Sequence, residues 1–482
     1  ALLLARGIAI EATAPRDQVA VGDSIPVTVT VYNRGSARIS VASSATMARG
    51  RTARPAAGSG PARDDVVVLP DSAHTDTVYV RGDSITQPWW LTIPRHGDMF
   101  SVPIDGRSDD ARDHGVRVRV ALDNGALVTH VPVVRRYADP VRGELERPLV
   151  VVPPISVTLD RTVELARANT PLARPVQVHL LSGVTTPRDV TVSLTLPSGL
   201  HADSASRVAH LEGFGASATV SFEVTGQLAA GEHDIAATAR SGGQTFSLGY
   251  IPIEYSHIRP QKLYRPATVS MHAVDATLPP RLDVGYIRGV GDNVAPMLQE
   301  LGVPVTVLDP ARLASTDLSR YTAIVIGTRA YEAHRELVAN NGRLLDWVKR
   351  GGTMVVQYGQ TEVTAPGVLP YPIALERPAA RVTDENAAVD ILRPDDPVLT
   401  WPNRIGRADW DGWVQERALY MPSTIDSHYV TPLSMHDPDE SPNKGAILET
   451  RWGAGTYVYT TLSLFRQLPA GTRVPAGRQP DA

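Results

Sequence analysis

Between Ile8 and about Tyr137 apolar and polar positions alternate. Val27, Val29 and Val31 are separated by Thr28 and Thr30, and Val116, Val118 and Val120 by Arg117 and Arg119. That two-residue period belongs to strands with one buried face. Asn33-Arg34-Gly35 supplies a turn, and the stretches between carry Gly, Pro, Ser and Asp without helical periodicity, which predicts an antiparallel β-sandwich over residues 1–140. Ala42 to Asp65, rich in Ala, Arg, Ser, Gly and Pro, reads as a mobile loop inside it. Trp89-Trp90, between Pro88 and Thr92, reads as a strand edge with at least one ring buried.

The same grammar returns over 148–255: Val190, Val192, Leu194 and Leu196 alternate with Thr191, Ser193 and Thr195, and Val220, Phe222 and Val224 repeat the pattern. A second sandwich is expected there. Residues 256–280 contain Pro260, Pro266, Pro279 and Pro280 without sustained periodicity, which predicts a semi-rigid linker. The pattern then changes to an α/β unit over 281–465. Strands are expected at Asp283–Ile287, Val303–Leu308, Ala323–Gly327 and Thr353–Gln357. One helix opens at Asp292-Asn293 and stops at Gly302, and a second runs from Glu336 to Arg350 with Leu337, Leu344, Leu345 and Val348 on its buried face. Ala446–Thr450 and Thr456–Leu462 flank Trp452-Gly453-Ala454-Gly455 as a hairpin. This alternation predicts a largely parallel sheet. A closing helix is not expected, and 466–482 reads as a disordered tail. Cuts near 139–150 and 257–280 are expected to release three independently folding units.

Length and charge narrow the function. At 482 residues the chain has room for about three domains. No apolar run approaches the roughly 20 residues of a membrane span. Lys+Arg 47 against Asp+Glu 51 leaves −4, too little positive charge for a nucleic-acid partner. There is no cysteine, which removes disulfides, thiolate metal sites and thiol nucleophiles together, and fits a periplasmic or secreted location. The first residue is Ala1, so a processed chain or fragment is expected.

Five segments carry a resemblance: Gly327-Thr328-Arg329-Ala330-Tyr331, Val338-Ala339-Asn340-Asn341, Arg350-Gly351-Gly352-Thr353, Gly412-Trp413-Val414-Gln415-Glu416-Arg417 and Phe465-Arg466-Gln467-Leu468-Pro469. With them, nearly the whole chain resembles the C-terminal accessory region of large bacterial PIG-L/LmbE-family deacetylases. The resemblance implies two antiparallel, immunoglobulin-like (Ig-like) β-sandwich modules of the type attached to galactosidases, followed by a doubly wound, flavodoxin/amidotransferase-like α/β domain. It also implies a zinc-dependent N-acetyl-sugar deacetylase domain in the same or a neighbouring polypeptide, with zinc expected only there. The nearest match to that family's His-Pro-Asp-Asp-Glu motif is Met435-His436-Asp437-Pro438-Asp439-Glu440. Its order is scrambled among prolines, so a surface loop is expected and no metal or cofactor in this chain.

A glutamine amidotransferase-like fold would place a cysteine on the turn after a buried strand. Here that turn is Gln357-Tyr358-Gly359-Gln360, without Cys or Ser, and no Gly-x-Ser-x-Gly elbow occurs. The loops after successive strands instead gather Arg288, Asp309, Arg329, Tyr331, Tyr358 and Gln360, a mixture that suits hydroxyl-rich or carboxylate ligands. Trp410, Trp413, Gln415 and Glu416 combine flat apolar faces with hydrogen-bonding groups that suit sugar rings, with core or interface packing of the tryptophans the alternative. Arg288-Gly289-Val290-Gly291-Asp292 reads as a tight turn in preference to a nucleotide site, because it lacks the third glycine. Asp384-Glu385 and Asp395-Asp396 read as solvated turns in preference to calcium sites. The expectation is a non-catalytic, carbohydrate-interacting region. The alternative is an enzyme, a hydrolase for instance, with an unrecognised site in the α/β unit.

Overall fold

In the computed structural model, which describes residues 2–46, 65–91, 93, 99, 101–102, 114–122 and 125–470, the chain is mostly β, with 47% strand and 12% helix. Ser24–Asn33 pairs antiparallel with both Ile8–Thr13 and Ser72–Arg81, in a five-stranded sheet that continues through Val134–Asp139 to Gly143–Pro148. A second sheet joins Val66–Val68, Ile39–Thr46, Gly115–Leu122 and Gly125–Pro132. Val27, Val29 and Val31 from the first sheet and Val116, Val118 and Val120 from the second share one core, as the period-two pattern requires.

Three details of this unit differ from the sequence reading. It does not close at 140. Gly143–Pro148 completes the first sheet, Val150–Val152 runs parallel to Gln18–Ala20, and Leu149 and Val151 enter the core. Ile39–Thr46 carries a strand into the segment expected to be a loop, of which 47–64 lie outside the described residues. Trp89–Leu91 forms a single 3-10 turn in place of a strand edge, with the two indoles half-buried and edge-to-face at 5.8 Å. Pro88 begins that turn and accepts from Leu91 N at 2.9 Å, a place where its missing N–H costs nothing.

The second unit packs the sheet Ile155–Leu159, Leu172–Ser182, Ser217–Gly226 and Leu200–Ala202 against one containing β1 (Val163–Arg167), Gly231–Ser241, Arg188–Thr195 and Arg207–Leu211. The expected linker over 256–280 is largely sheet. Gln261–Pro266 pairs with Leu248–Ile253, and β2 (Thr268–Val274) inserts between β1 and Gly231–Ser241. Val269, Met271 and Ala273 are buried, whereas Thr268, Ser270 and His272 are not. The prolines sit where no ladder hydrogen bond is lost: Pro260 precedes one strand and Pro266 ends it.

The third unit is built on a six-stranded sheet of order β4-β3-β5-β6-β8-β7, made of β3 (Val284–Ile287), β4 (Val305–Val307), β5 (Ala323–Ile326), β6 (Thr353–Gln357), β7 (Ile447–Trp452) and β8 (Gly455–Thr460). All pairs are parallel except β7 with β8. Helix α1 (Val294–Glu300) follows β3. Helix α2 (Arg335–Lys349) buries Leu337, Leu344, Leu345, Trp347 and Val348. Gly352 is required after α2, because a Cβ there would stand 2.5 Å from the Trp347 ring. Residues between β6 and β7 form short ladders around their own core of Val382, Leu399, Trp410, Trp413, Met421 and Leu433.

A closing helix is present after all: α3 (Leu464–Ala470) replaces the start of the expected tail, while 471–482 lie outside the described residues. Leu468 of α3 packs with Tyr286, Val294 and Ala295 against Leu165 of β1. Glu300 at the end of α1 accepts from Leu165 N at 2.8 Å and from Arg161, and Arg174 donates to its carbonyl. The second and third units therefore share a core and a part-buried ionic clamp, in place of the loose connection expected at 257–280.

One carboxyl pair, a buried Asp396 and a half-buried Glu449, gives this unit a pH dependence. Asp396 is buried, accepts from Val398 N at 3.2 Å and caps the turn Pro397–Thr400, so it is no solvated turn. Glu449 of β7 faces it, and burial followed by the Asp396 carboxyl pushes Glu449 up to about 7. A carboxyl whose folded-state affinity for protons is raised adds stability below its ordinary range and loses it as pH rises through about 7. The melting temperature is expected to fall across that window, and Glu449→Gln to flatten the fall. An equally steep profile in the variant would place the titration elsewhere.

Candidate functional site at the carboxyl edge of the parallel sheet

The turn after β3 is closed by its own side chain. The Asp292 carboxylate accepts from Gly289 N and Val294 N, each at 3.0 Å, and from the buried Tyr286 hydroxyl at 2.9 and 2.7 Å. Tyr286 in turn accepts from Gln357 Nε2 at 3.0 Å. Two glycines are obligatory here: a Cβ on Gly289 would lie 1.9 Å from Thr328 O, and one on Gly327 would lie 1.9 Å from Asp292 Oδ2. The amides that could receive a phosphate are thus occupied by an internal carboxylate, which fits the tight-turn reading of Arg288–Asp292.

Beside that turn, the loops after β5 and β6 interlock. Arg329 adopts a left-handed backbone with φ 55°, and its N–H donates to Tyr358 O at 2.8 Å. Its guanidinium donates twice to Glu332 Oε2, at 2.9 and 2.8 Å, while Glu332 Oε1 accepts from Gln360 N at 2.9 Å. Gln360 Nε2 donates to the Tyr420 hydroxyl at 2.5 Å. Tyr420 stacks on Tyr358 with ring centroids 5.6 Å apart and planes 9° from parallel, and Phe465 tilts against Tyr358 at 5.7 Å. Arg466 closes the far side through Glu416 at 2.5 Å. Burial raises the Tyr358 phenol, partly offset by Arg329 and Arg466. Gln415 at φ 66° and Tyr420 at φ 54° share the left-handed region with Arg329. Each such residue costs on the order of 1–3 kcal/mol, and strain of this kind gathers where geometry serves a ligand or a switch.

The sheet brings Arg329, Tyr358 and Gln360 together. Tyr331 leaves the group: it is buried and donates to Asn341 Oδ1 at 2.7 Å. Asp309 is exposed and caps the 3-10 turn Pro310–Arg312 through Ala311 N at 3.0 Å. Arg288 is exposed, and its carbonyl lies 3.0 Å from His334 Nε2. Trp410 and Trp413 are not platforms. Both are buried, 5.3 Å apart, in the core of the segment before β7. Glu332, Tyr420 and Arg466 were not foreseen, whereas Glu416, grouped from sequence with the two tryptophans, pairs instead with Arg466. Glu332 carried a signal, being three residues beyond Arg329, but Tyr420 reaches Gln360 across 60 residues.

The His436 segment is a structural loop. His436 Nδ1 lies 2.8 Å from Asp437 O, and the Asp437 carboxylate receives Thr383 N, Thr383 Oγ1 and Asp384 N at 2.6–2.9 Å. Burial alone would raise Asp437, but these donors hold it below the usual carboxylate range. Glu385 likewise accepts from Gln415 N at 2.8 Å. Among the described residues no three His, Asp or Glu side chains form a group that could hold a metal ion. At the β6 turn the chemistry on offer is a phenol pair, an amide and two guanidiniums, each paired with a carboxylate, Arg329 with Glu332 and Arg466 with Glu416. These groups can bind hydroxyls or carboxylates, and none of them is a nucleophile paired with a base.

No family model matches the sequence, and no curated protein does. Among solved structures the chain is similar in part to Escherichia coli alpha-2-macroglobulin activated by porcine elastase, at 12% identity and TM-score 0.21 over 55% of this chain and 22% of that one. It is also similar in part to the β-galactosidase from Rahnella sp. R3, at 16% identity and TM-score 0.25 over 41% of this chain and 30% of that one. A third likeness is to red sea bream transglutaminase, at 15% identity and TM-score 0.23 over 55% and 31%. The chain thus spans less than a third of the length of each of these.

Proposed function

We propose that this chain is a non-catalytic accessory region of a bacterial PIG-L-family N-acetyl-sugar deacetylase, periplasmic or secreted, that presents glycan to a deacetylase domain in the same or a neighbouring polypeptide. In this reading the zinc belongs to that other domain, and the third unit is a catalytically silent relative of the class I glutamine amidotransferase-like fold. One observation carries the reading. The turn after the central strand β6, where such a fold would hold its nucleophile, reads Tyr358-Gly359-Gln360 and is tied to Arg329, Glu332 and Tyr420. The sequence-level resemblance in the segments around Arg329, Glu416 and Arg466 falls on this same cluster.

An unbiased glycan array with the full chain tests it, followed by titration of each hit against Arg329→Ala and Tyr358→Ala. Loss of a charge-assisted bond is expected to weaken binding roughly tenfold or more in Arg329→Ala. An empty array would overturn the proposal. Unchanged affinity in both variants with lowered melting temperatures would move the glycan contact to the sandwiches and leave this cluster as a loop clamp.

A further inference from the structure

Away from the sheet edge, a groove of about 550 Å³ opens between the second sandwich and the end of α1. Its charged lining comprises Arg161, Arg167 and Arg174 with Asp160, Glu164 and Glu300. The charges balance in number but not in pairing. Arg161 bonds to Glu300 and lies 3.9 Å from Glu164 and 4.0 Å from Asp160. Arg174 lies 3.6 Å from Glu164 and donates to Leu165 O at 3.0 Å and to Glu300 O. Two guanidiniums therefore take up all three carboxylates. Arg167, the last residue of β1, makes no ion pair among the described residues, and its Nε is buried without an acceptor.

A buried donor left unmet costs about 1–3 kcal/mol, and a half-buried guanidinium without a carboxylate partner on the groove wall is the two-pronged donor that matches an incoming carboxylate. The groove has the volume of a small-ligand site. Asp160, which faces Arg161 through one oxygen, and Glu164, whose Oε1 faces Arg161 and Oε2 faces Arg174, line the same space, and the lone pairs these contacts leave over can accept hydroxyl protons. We propose that this groove binds a hydroxylated monocarboxylate, a sugar acid, with its carboxylate on Arg167 and its hydroxyls on Glu164 and Asp160. The site is separate from the Arg329–Tyr358 cluster and does not depend on the function proposed above.

Glucuronate and glucose are the probes, titrated calorimetrically against the full chain. Glucuronate is expected to bind saturably and glucose at the same concentration not to bind. Arg167→Gln is expected to weaken glucuronate by roughly ten- to a hundredfold, the equivalent of one or two charge-assisted bonds, without lowering the melting temperature. Ala173→Trp gives a second reading. Ala173 is exposed on the groove wall, so an indole there fills the space without entering the core and is expected to abolish the binding. Absence of saturable glucuronate binding, retention of it in both variants, or equal binding of glucose would each overturn the proposal.

Discussion

Asp292→Ala is expected to destabilise the third unit by about 3 to 5 kcal/mol, since it strands the Tyr286 hydroxyl and two backbone amides at a cost of roughly 1–3 kcal/mol each. Tyr286 is fully buried and Gln357 nearly so, so water can replace few of the lost bonds. Against a typical domain stability of about 5–15 kcal/mol this is a large fraction. Asp292→Asn keeps one acceptor and is expected to cost less than half as much, because its NH2 must face either an amide donor or the phenol. Tyr286→Phe removes the middle of the relay and leaves Gln357 Nε2 without its partner. The two changes should couple, with a double-mutant interaction on the order of 0.5–3 kcal/mol. Chemical denaturation of the four proteins measures it. Additive losses, or an Asp292→Ala penalty below about 1 kcal/mol, would mean that the glycine contacts alone hold the turn.

The period-two alternation made the two sandwiches legible, because every apolar member of those runs faces a sheet interior. The strands of the third unit were legible for a related reason: Val284–Ile287 and Thr353–Gln357 are short apolar runs bounded by turn residues and helices. What was hidden is non-local. Thr268–Val274 alternates as clearly as any strand in the chain, but the prolines around it read as linker until its partners, β1 and Gly231–Ser241, are known. Leu464–Ala470 is too short to show helical periodicity, and it exists because Leu468 has a buried place beside Tyr286 and Leu165.

The candidate site divides in the same way. Loops after parallel strands must lie on one edge, so Arg329, Tyr358 and Gln360 could be grouped from sequence alone. Whether a side chain then points outward is decided by partners elsewhere. Tyr331 turns inward because Asn341, on α2, offers an acceptor whose own amide is fixed by Gly367 O and Val368 O. The two tryptophans turn inward because the segment before β7 builds its own core. No local pattern contains that information.

Arg417 links that core to the site. It is buried, donates through Nε to Ala387 O at 3.1 Å and through Nη1 to Trp410 O at 2.5 Å, and its guanidinium lies 5.6 Å from the centre of the Trp413 ring. Burial lowers its proton affinity against the pull of Asp384, Asp411 and Glu385. Arg417→Ala would orphan two buried carbonyls and open a void beside both indoles, for an expected loss of about 3 to 5 kcal/mol. Arg417→Met fills most of the void but supplies no donor, and Arg417→Lys restores one, so stability should rank Arg, Lys, Met, Ala. The strand that begins at Ala418 carries Tyr420, whose hydroxyl receives Gln360. The same series should therefore loosen the Tyr358–Tyr420 stack and weaken any ligand held there in the same order. Denaturation midpoints and Tyr fluorescence of the series measure the two effects. If Arg417→Met matched the parent in both, the guanidinium would contribute only its volume, and the ring stack would be held by Gln360 alone.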